Sequence, residues 1–515
     1  MSEPMQFQYN ADWPPDSVEA GKPAEFPMAD PNPCARITTR VYKPAKGSIS
    51  TIQNVLVRTM LPENPLRRSF IEMMNSSGGM DADLGPGGNA GDDISTSSSS
   101  DDSMSSGSMD SMGGSGGGGG MGGNGPTIAN TENNMNGGAP NRQPQRAYWM
   151  QRTVREAIYG RVLYAIVLKK SFRRDPVTGE TAEWEMTEEK CAIKEMSWQH
   201  IRRERDKLAE NPIQEVAAMQ FICKWYSQQQ ESHQQQDDDD DGANPFSAIR
   251  KTNVMMPLDL LSDERYLYSI MPYCDGGELF ERLDMNERFS EEEARYWIVQ
   301  VLNGLENLQH AGVCHRDMSL ENLLVHQDGA LIIDMGMCLR IPYVVDDRNL
   351  TTTSADGLTN AMNNMMIDSV AGTPVFPNGK IESGRGRPRS LIKPQGTCGK
   401  WIYMSPEILE NKQPFDGFAV DMWAAGVILF LMLTGFPPWE RACGTDERFK
   451  YMTAGYLVQM LTEWELGLSP DAMDLLQRML FLDPKDRLSL DQVRAHPWIV
   501  NGKCILQSQG TMEAL

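Results

Sequence analysis

The chain has 515 residues, with 48 Lys and Arg against 70 Asp and Glu, and a formal net charge of −22. A charge of that sign repels phosphate backbones and anionic headgroups, which argues against a nucleic-acid or membrane-surface binder. The nine cysteines are scattered without a CxxC pair. That pattern fits free thiols in a reducing compartment, cytosol or nucleus, and excludes a disulfide framework or a zinc site.

The opening residues, MSEPMQFQYNADWPPDS, have no basic stretch followed by an apolar one, so no secretory signal is expected. Residues 1–146 are expected to be largely disordered, being Pro-rich early and carrying only short apolar patches such as Ile52–Val57. Within them, 75–140 is built from Gly, Ser, Asn, Asp and Met, with seven Asp, one Glu and no Lys or Arg. So little apolar surface cannot offset chain entropy, and the stretch reads as a flexible acidic linker.

The folded unit is placed at 147–500, with a short tail at 501–515. Val162–Leu168 and Cys191–Met196 read as strands separated by a polar hairpin insertion near 171–190 that contains Pro176 and Gly179. Ile201–Trp225 reads as a helix, and the Gln- and Asp-rich stretch near 227–245 as a solvated surface loop. Val254–Leu260 and Arg265–Met271 look like paired strands. Ser290 followed three residues later by Glu293 is a helix start. Helices dominate from there to Trp498, with a Thr-, Asn- and Met-rich insertion at 342–395. The longest apolar run, Ala424–Phe436, is too short to cross a bilayer, so no membrane insertion is expected. Strands first and helices afterwards predict an α+β chain of two lobes.

Three motifs carry chemistry. His315-Arg316-Asp317-Met318-Ser319-Leu320-Glu321-Asn322 is followed twelve residues later by Asp334-Met335-Gly336, and Ala192-Ile193-Lys194 lies upstream. Phosphoryl transfer needs a carboxylate at the attacking hydroxyl, oxygen ligands for magnesium and a cation on the nucleotide phosphates. In this order the motifs resemble the protein-kinase catalytic set, with HRDxxxxN intact and DFG read as DMG. The resemblance covers roughly 147–500. It implies a two-lobed fold: an N-lobe with an antiparallel sheet and one main helix, and a mainly helical C-lobe. It also implies ATP and Mg2+ as cofactors, and transfer of the γ-phosphate of ATP to Ser or Thr of protein substrates by a monomer.

On the nucleotide side, the resemblance assigns Lys194 to the phosphates and Glu215 to Lys194, with Glu210 and Glu204 as other candidates. The glycine-rich loop departs from the family pattern. In Arg155-Glu156-Ala157-Ile158-Tyr159-Gly160-Arg161-Val162 only the third glycine, Gly160, survives. Arg155 is left either near the phosphates or on the surface. Met271 matches the gatekeeper, Tyr273 and Cys274 the hinge residues that bond adenine, and Val162, Ala192 and Leu324 the apolar sandwich around it. Glu278 is assigned either to ribose or, with Glu321, to arginines N-terminal to the phosphosite in a peptide.

On the catalytic side, Asp317 is the expected base, Asn322 and Asp334 the magnesium ligands, and His315 and Met335 packing residues. Trp401-Ile402-Tyr403-Met404-Ser405-Pro406-Glu407 resembles the end of an activation segment. Glu407 is expected to pair with Arg487, and Asp421 to support the catalytic loop. Arg316 is expected to meet an activation-segment phosphate, on Thr397 or Ser390. The usual family Lys two residues after the catalytic Asp is Ser319 here, and the usual activation-segment Thr is Lys400. The two groups look exchanged, which predicts a Lys400–Ser319 bond and a catalytic role for Lys400. The degraded glycine loop, DMG and Ser319 support the alternative of a pseudokinase acting as a scaffold or allosteric partner. A small-molecule kinase is disfavoured by the peptide-side motifs.

Overall fold

The computed structural model describes residues 23, 25–59, 146–175, 178–204, 211–233, 251–341 and 391–502. The linker at 75–140, most of the 342–395 insertion and the tail beyond 502 lie outside them.

The N-lobe is a seven-stranded closed barrel. Its strands are β1 (Asn32–Lys43), β2 (Ser48–Arg58), β3 (Arg146–Ala157), β4 (Gly160–Lys170), β5 (Trp184–Ser197), β6 (Asp259–Ser262) and β7 (Tyr266–Pro272). They run in the order β1-β2-β3-β4-β5-β7-β6, antiparallel at each of those steps. Parallel pairings of β1 with β6 and β5 close the ring. One core cluster gathers Leu56, Tyr148, Leu163, Ile193, Tyr268 and Ile270, and a second gathers Val41, Val55, Leu168 and Trp184.

Two strands of this barrel correct the expectation that residues 1–146 are largely disordered. Asn32–Lys43 and Ser48–Arg58 form a hairpin, turned at Pro44–Lys46 with Gly47 in the left-handed region (φ 61°). The patch Ile52–Val57 supplies buried Ile52, Val55, Leu56 and Val57. The 171–190 insertion is also shorter than expected, because β5 begins at Trp184, buried under the barrel.

The expected helix over Ile201–Trp225 is two helices, α1 (Trp198–Glu204) and α2 (Pro212–His233). Asn211 restarts the chain: its Oδ1 accepts from Ile213 N–H at 3.0 Å, and Pro212 sits where a helix has no use for a backbone donor. Because α2 runs to His233, the predicted 227–245 loop is helical in its first part. The expected strand at Val254–Leu260 shrinks to Asp259–Ser262, since Pro257 cannot donate to a ladder and Val254 bridges Ile332 instead.

The C-lobe is mainly helical. It includes α3 (Leu279–Asn286), α4 (Glu291–His310), the short strands β8 (Val313–Cys314), β9 (Leu323–His326), β10 (Gly329–Ile332) and β11 (Leu339–Arg340), α5 (Pro406–Glu410) and α6 (Gly417–Thr434). Further helices follow to Pro497–Val500. Ser290 Oγ accepts from Glu293 N–H and starts α4 as its sequence predicts. The predicted apolar run becomes α6, 18 residues long and apolar enough to cross a membrane, yet 94% of it is buried inside the protein. Its all-round apolar surface is met by the surrounding C-lobe core.

Candidate active site

Strand register sets the upper wall. Val162 lies opposite Lys194, and Ala192 opposite Met271. Directly opposed residues of an antiparallel pair point to one face, and positions two apart along a strand share that face. Val162, Ala192, Lys194 and Met271 therefore project together, with Leu324 on β9 in the lower lobe, partly buried like Val162 and Ala192. Lys194 Nζ donates to both oxygens of Glu215, at 2.8 and 2.6 Å, and both side chains are largely buried. Glu215 sits in the first turn of α2, so the pair fastens that helix to β5. Of the other candidates, Glu204 pairs with Arg203, and Glu210 is outside the described residues.

Gly160 closes the β3–β4 turn, and a Cβ there would collide with the carbonyl of Glu195. Its requirement is a close approach to β5, which holds whether or not a phosphate is near. Arg155 turns towards the lower lobe and pairs with Glu278 at 3.0 Å. Glu278 also starts α3 through a reciprocal bond with Glu281. At the hinge, Tyr273 N–H donates to Lys190 O at 3.3 Å, and its carbonyl accepts from His326 Nδ1 at 3.2 Å.

The catalytic loop is held from beneath. Asp421 of α6, fully buried, accepts His315 N–H at 2.7 Å and Arg316 N–H at 2.8 Å. Burial pushes its carboxyl up to about 6, against the pull of His315 and those two amides. The fork holds Arg316 in the left-handed region at φ 66°, costly for a residue with a side chain. His315 is wholly buried, its Nε2 bonded to Ile333 O at 2.9 Å and its Nδ1 accepting Asp317 N–H at 3.2 Å. It is packed inside the protein, the place expected of it, and its ring also bonds the backbone on either side. Met335 is buried as well.

Asn322 Nδ2 donates to Asp317 O at 2.7 Å and Asp317 Oδ2 at 3.0 Å, which leaves the amide oxygen of Asn322 as an acceptor. Asp317 Oδ1 is buried without a partner, an orphan acceptor aimed into the site. Burial raises the Asp317 carboxyl above the usual range, opposed by His315 and Lys400 and reinforced by Asp334. Asp334 also has a left-handed backbone, and its Oδ1 accepts Gly336 N–H at 3.2 Å. Asn322 and Asp334 offer hard oxygen donors that suit magnesium. Among the described residues no group of three or more His, Cys, Asp or Glu is placed to hold a metal ion.

The activation segment returns at Leu391. Glu407 and Arg487 form a buried pair at 2.8 and 3.3 Å. Lys400 Nζ lies 2.8 Å from Ser319 Oγ and 3.4 Å from Glu321 Oε1. Tyr403 OH donates to Glu321 Oε2 at 3.2 Å. Glu278, assigned to ribose or a peptide arginine, and Glu321, assigned to a peptide arginine, are each paired within the chain, with Arg155 and Lys400. The Arg316 guanidinium, expected to meet a phosphate, donates here to Met337 O and Gly396 O, both at 3.3 Å, and stacks over Phe415. Thr397 is exposed, and Ser390 lies outside the described residues. One residue that sequence reasoning missed is Gly399, at φ 88°, where a Cβ would sit 3.1 Å from Asp317 Oδ1. Its signal was available in Cys398-Gly399-Lys400, but the conformation it serves depends on a loop eighty residues away.

A family model described as a protein kinase domain matches residues 181–355 and 385–499. The match begins after β4, so the divergent glycine loop lies outside it. The chain is 31% identical over 251 residues to the serine/threonine-protein kinase DCLK3 of Mus musculus, covering 48% of this chain and 25% of that protein. It is 29% identical over 258 residues to the Aurora kinase of Schizosaccharomyces pombe, covering 50% and 57%. To the serine/threonine-protein kinase SAPK2 of Oryza sativa subsp. japonica it is 27% identical over 253 residues, covering 49% and 61%. The chain thus matches less than two thirds of the length of each of these relatives.

Proposed function

The chain belongs to the protein kinase domain family, and we propose that it is an active serine/threonine protein kinase, moving the γ-phosphoryl group of ATP to a hydroxyl of a protein substrate. The observation that carries this reading is the closed Lys194–Glu215 pair on the face that holds Val162, Ala192 and Met271. A pair closed in this way presents the lysine to phosphate without further rearrangement. Asp317 accepts the proton of the attacking hydroxyl, with Asn322 fixing one of its oxygens and the other left without a hydrogen-bond partner. A magnesium ion held by Asn322 and Asp334 would neutralise phosphate charge. The names of the relatives, serine/threonine kinases among them, support the choice of acceptor.

A pseudokinase reading is favoured by one specific feature. Arg and Ala replace the first two glycines of the phosphate loop, and Arg155 is tied to Glu278. Incubation of the full chain with Mg·ATP and a generic basic protein separates the two readings. Phosphoserine or phosphothreonine that disappears in Asp317→Asn supports the enzyme. Nucleotide binding without any transfer supports the scaffold.

A further inference from the structure

Between Asp317 and Asn322 the catalytic loop reads Met318, Ser319, Leu320, Glu321, with no cation. The neighbouring Arg316 is turned into the protein, bonded to two carbonyls and stacked over Phe415. The loop itself therefore carries the carboxylates of Asp317 and Glu321, with that of Asp334 close enough to act on Asp317. Phosphoryl transfer spreads negative charge over the moving group, and an acidic loop alone opposes it.

We propose that Lys400, carried in by the activation segment and anchored on Ser319, is the cation that stabilises the transferring phosphate beside Asp317. The inference rests on the serine/threonine kinase reading and adds a catalytic residue to it. Ser319 is fully buried, so its hydroxyl is a fixed post for the Lys400 ammonium at 2.8 Å. Glu321 takes a second N–H direction at 3.4 Å. An ammonium has three donors, so a third remains. The Lys400 side chain is 41% exposed, open to an incoming anion and yet tethered.

The backbone is shaped to bring it there. Gly399 at φ 88° lets the segment run against Asp317, and the Lys400 carbonyl accepts from Tyr403 and Met404 N–H at 3.0 and 3.1 Å. Trp439 Nε1 pins Ile402 O at 3.0 Å. Lys400 also acts on Asp317 directly, opposing the upward push of burial. In the step itself the acceptor oxygen bonds to the γ-phosphorus, and the bond from that phosphorus to the β–γ bridging oxygen breaks. The electron pair stays on ADP, and the hydroxyl proton passes to Asp317. Lys400 supplies charge and exchanges no atom.

The competing account is that Lys400 merely fastens the segment to the loop. Lys400→Gln separates the two, since Gln can still donate to Ser319 but carries no charge. Two readouts on the full chain are needed: calorimetric affinity for Mg·AMP-PNP against Mg·ADP, and kcat on a basic protein. The cation role predicts that Lys400→Gln lowers kcat on the order of a hundredfold, as for other lost transition-state donors. It also predicts weaker AMP-PNP binding with ADP affinity unchanged, and partial recovery of both readouts in the swap Ser319→Lys with Lys400→Thr. Wild-type kcat with equal affinities in Lys400→Gln overturns the proposal. If wild type binds both nucleotides but transfers nothing, the kinase reading falls and the catalytic role of Lys400 falls with it, whereas transfer by wild type that Lys400→Gln matches in both readouts overturns this proposal alone. If wild type binds neither nucleotide, both fall.

Discussion

At Asp317 two opposing effects set the pH at which the site works. Burial raises the carboxyl above its ordinary range, and Lys400 and His315 pull it back. The base must be ionised to take a proton, so kcat/KM should rise with pH through this group, with the acid limb above that of a free Asp. Removing the Lys400 charge leaves burial less opposed, and the limb should move to higher pH. A pH–rate profile of wild type and Lys400→Gln checks the sign; a limb that stays in place, or moves to lower pH, contradicts it. Glu215 gives a second prediction at this scale. Glu215→Ala removes the carboxylate that pairs with a largely buried ammonium, and losing one partner of a buried pair costs about 3–5 kcal/mol. The thermal midpoint should fall by several degrees, and ATP affinity with it; denaturation scans with and without nucleotide measure both. Residues such as Asp317, Asn322 and Lys194 were legible in sequence because the reaction fixes both residue type and spacing. The partners of Glu278 and Arg316 were not, since Arg155 and the carbonyl of Gly396 are brought to them only by tertiary folding.

Among the elements, the β1–β2 hairpin and the residues before it do most to adapt the fold. Gln220 on α2 exchanges two bonds with Ala29, at 3.1 and 3.3 Å, and Phe26 meets Phe221 edge-on at 5.7 Å. Arg340 on β11 donates to Glu25 O at 3.1 Å and lies over Phe221 at 4.7 Å. This strap joins the helix that carries Glu215 to the start of the activation segment. Within β1, Arg36 bonds the buried Glu195 and the hydroxyl of Tyr268. Deleting residues 1–31, which keeps the hairpin, should loosen α2. The expected result is faster amide exchange in α2 and a several-fold drop in transfer, with the barrel still folded. Unchanged exchange in α2 contradicts a positioning role for the strap. Sequence reading missed the hairpin for a physical reason. β1 pairs along its length with the neighbouring β2, but the contacts that seat the hairpin in the barrel lie far along the chain: Asn32 pairs with Leu261, and Val41 with Trp184. The helix start at Ser290 was legible because its cap is local, whereas the break between α1 and α2 turned on one Asn-Pro step inside an otherwise helical stretch.

For the molecule as a whole, the lobes meet the chemistry from two sides. The barrel brings Lys194 on a strand, the helical lobe brings Asp317, Asn322 and Asp334 on loops fixed to α6, and the activation segment brings Lys400. The two-lobed α+β architecture was legible because strand-like segments precede helical ones, and the closure of the barrel by an N-terminal hairpin was not. We propose that this assembly transfers phosphate to protein hydroxyls through Asp317. The most direct test is phosphoamino-acid analysis of a basic protein incubated with Mg·ATP and the full chain, wild type or Asp317→Asn, with nucleotide affinity measured on both. Wild type should yield phosphoserine or phosphothreonine, and Asp317→Asn should lose it by orders of magnitude while retaining nucleotide affinity. Transfer that persists undiminished in Asp317→Asn, or none from a wild type that binds Mg·ATP, would contradict the proposal.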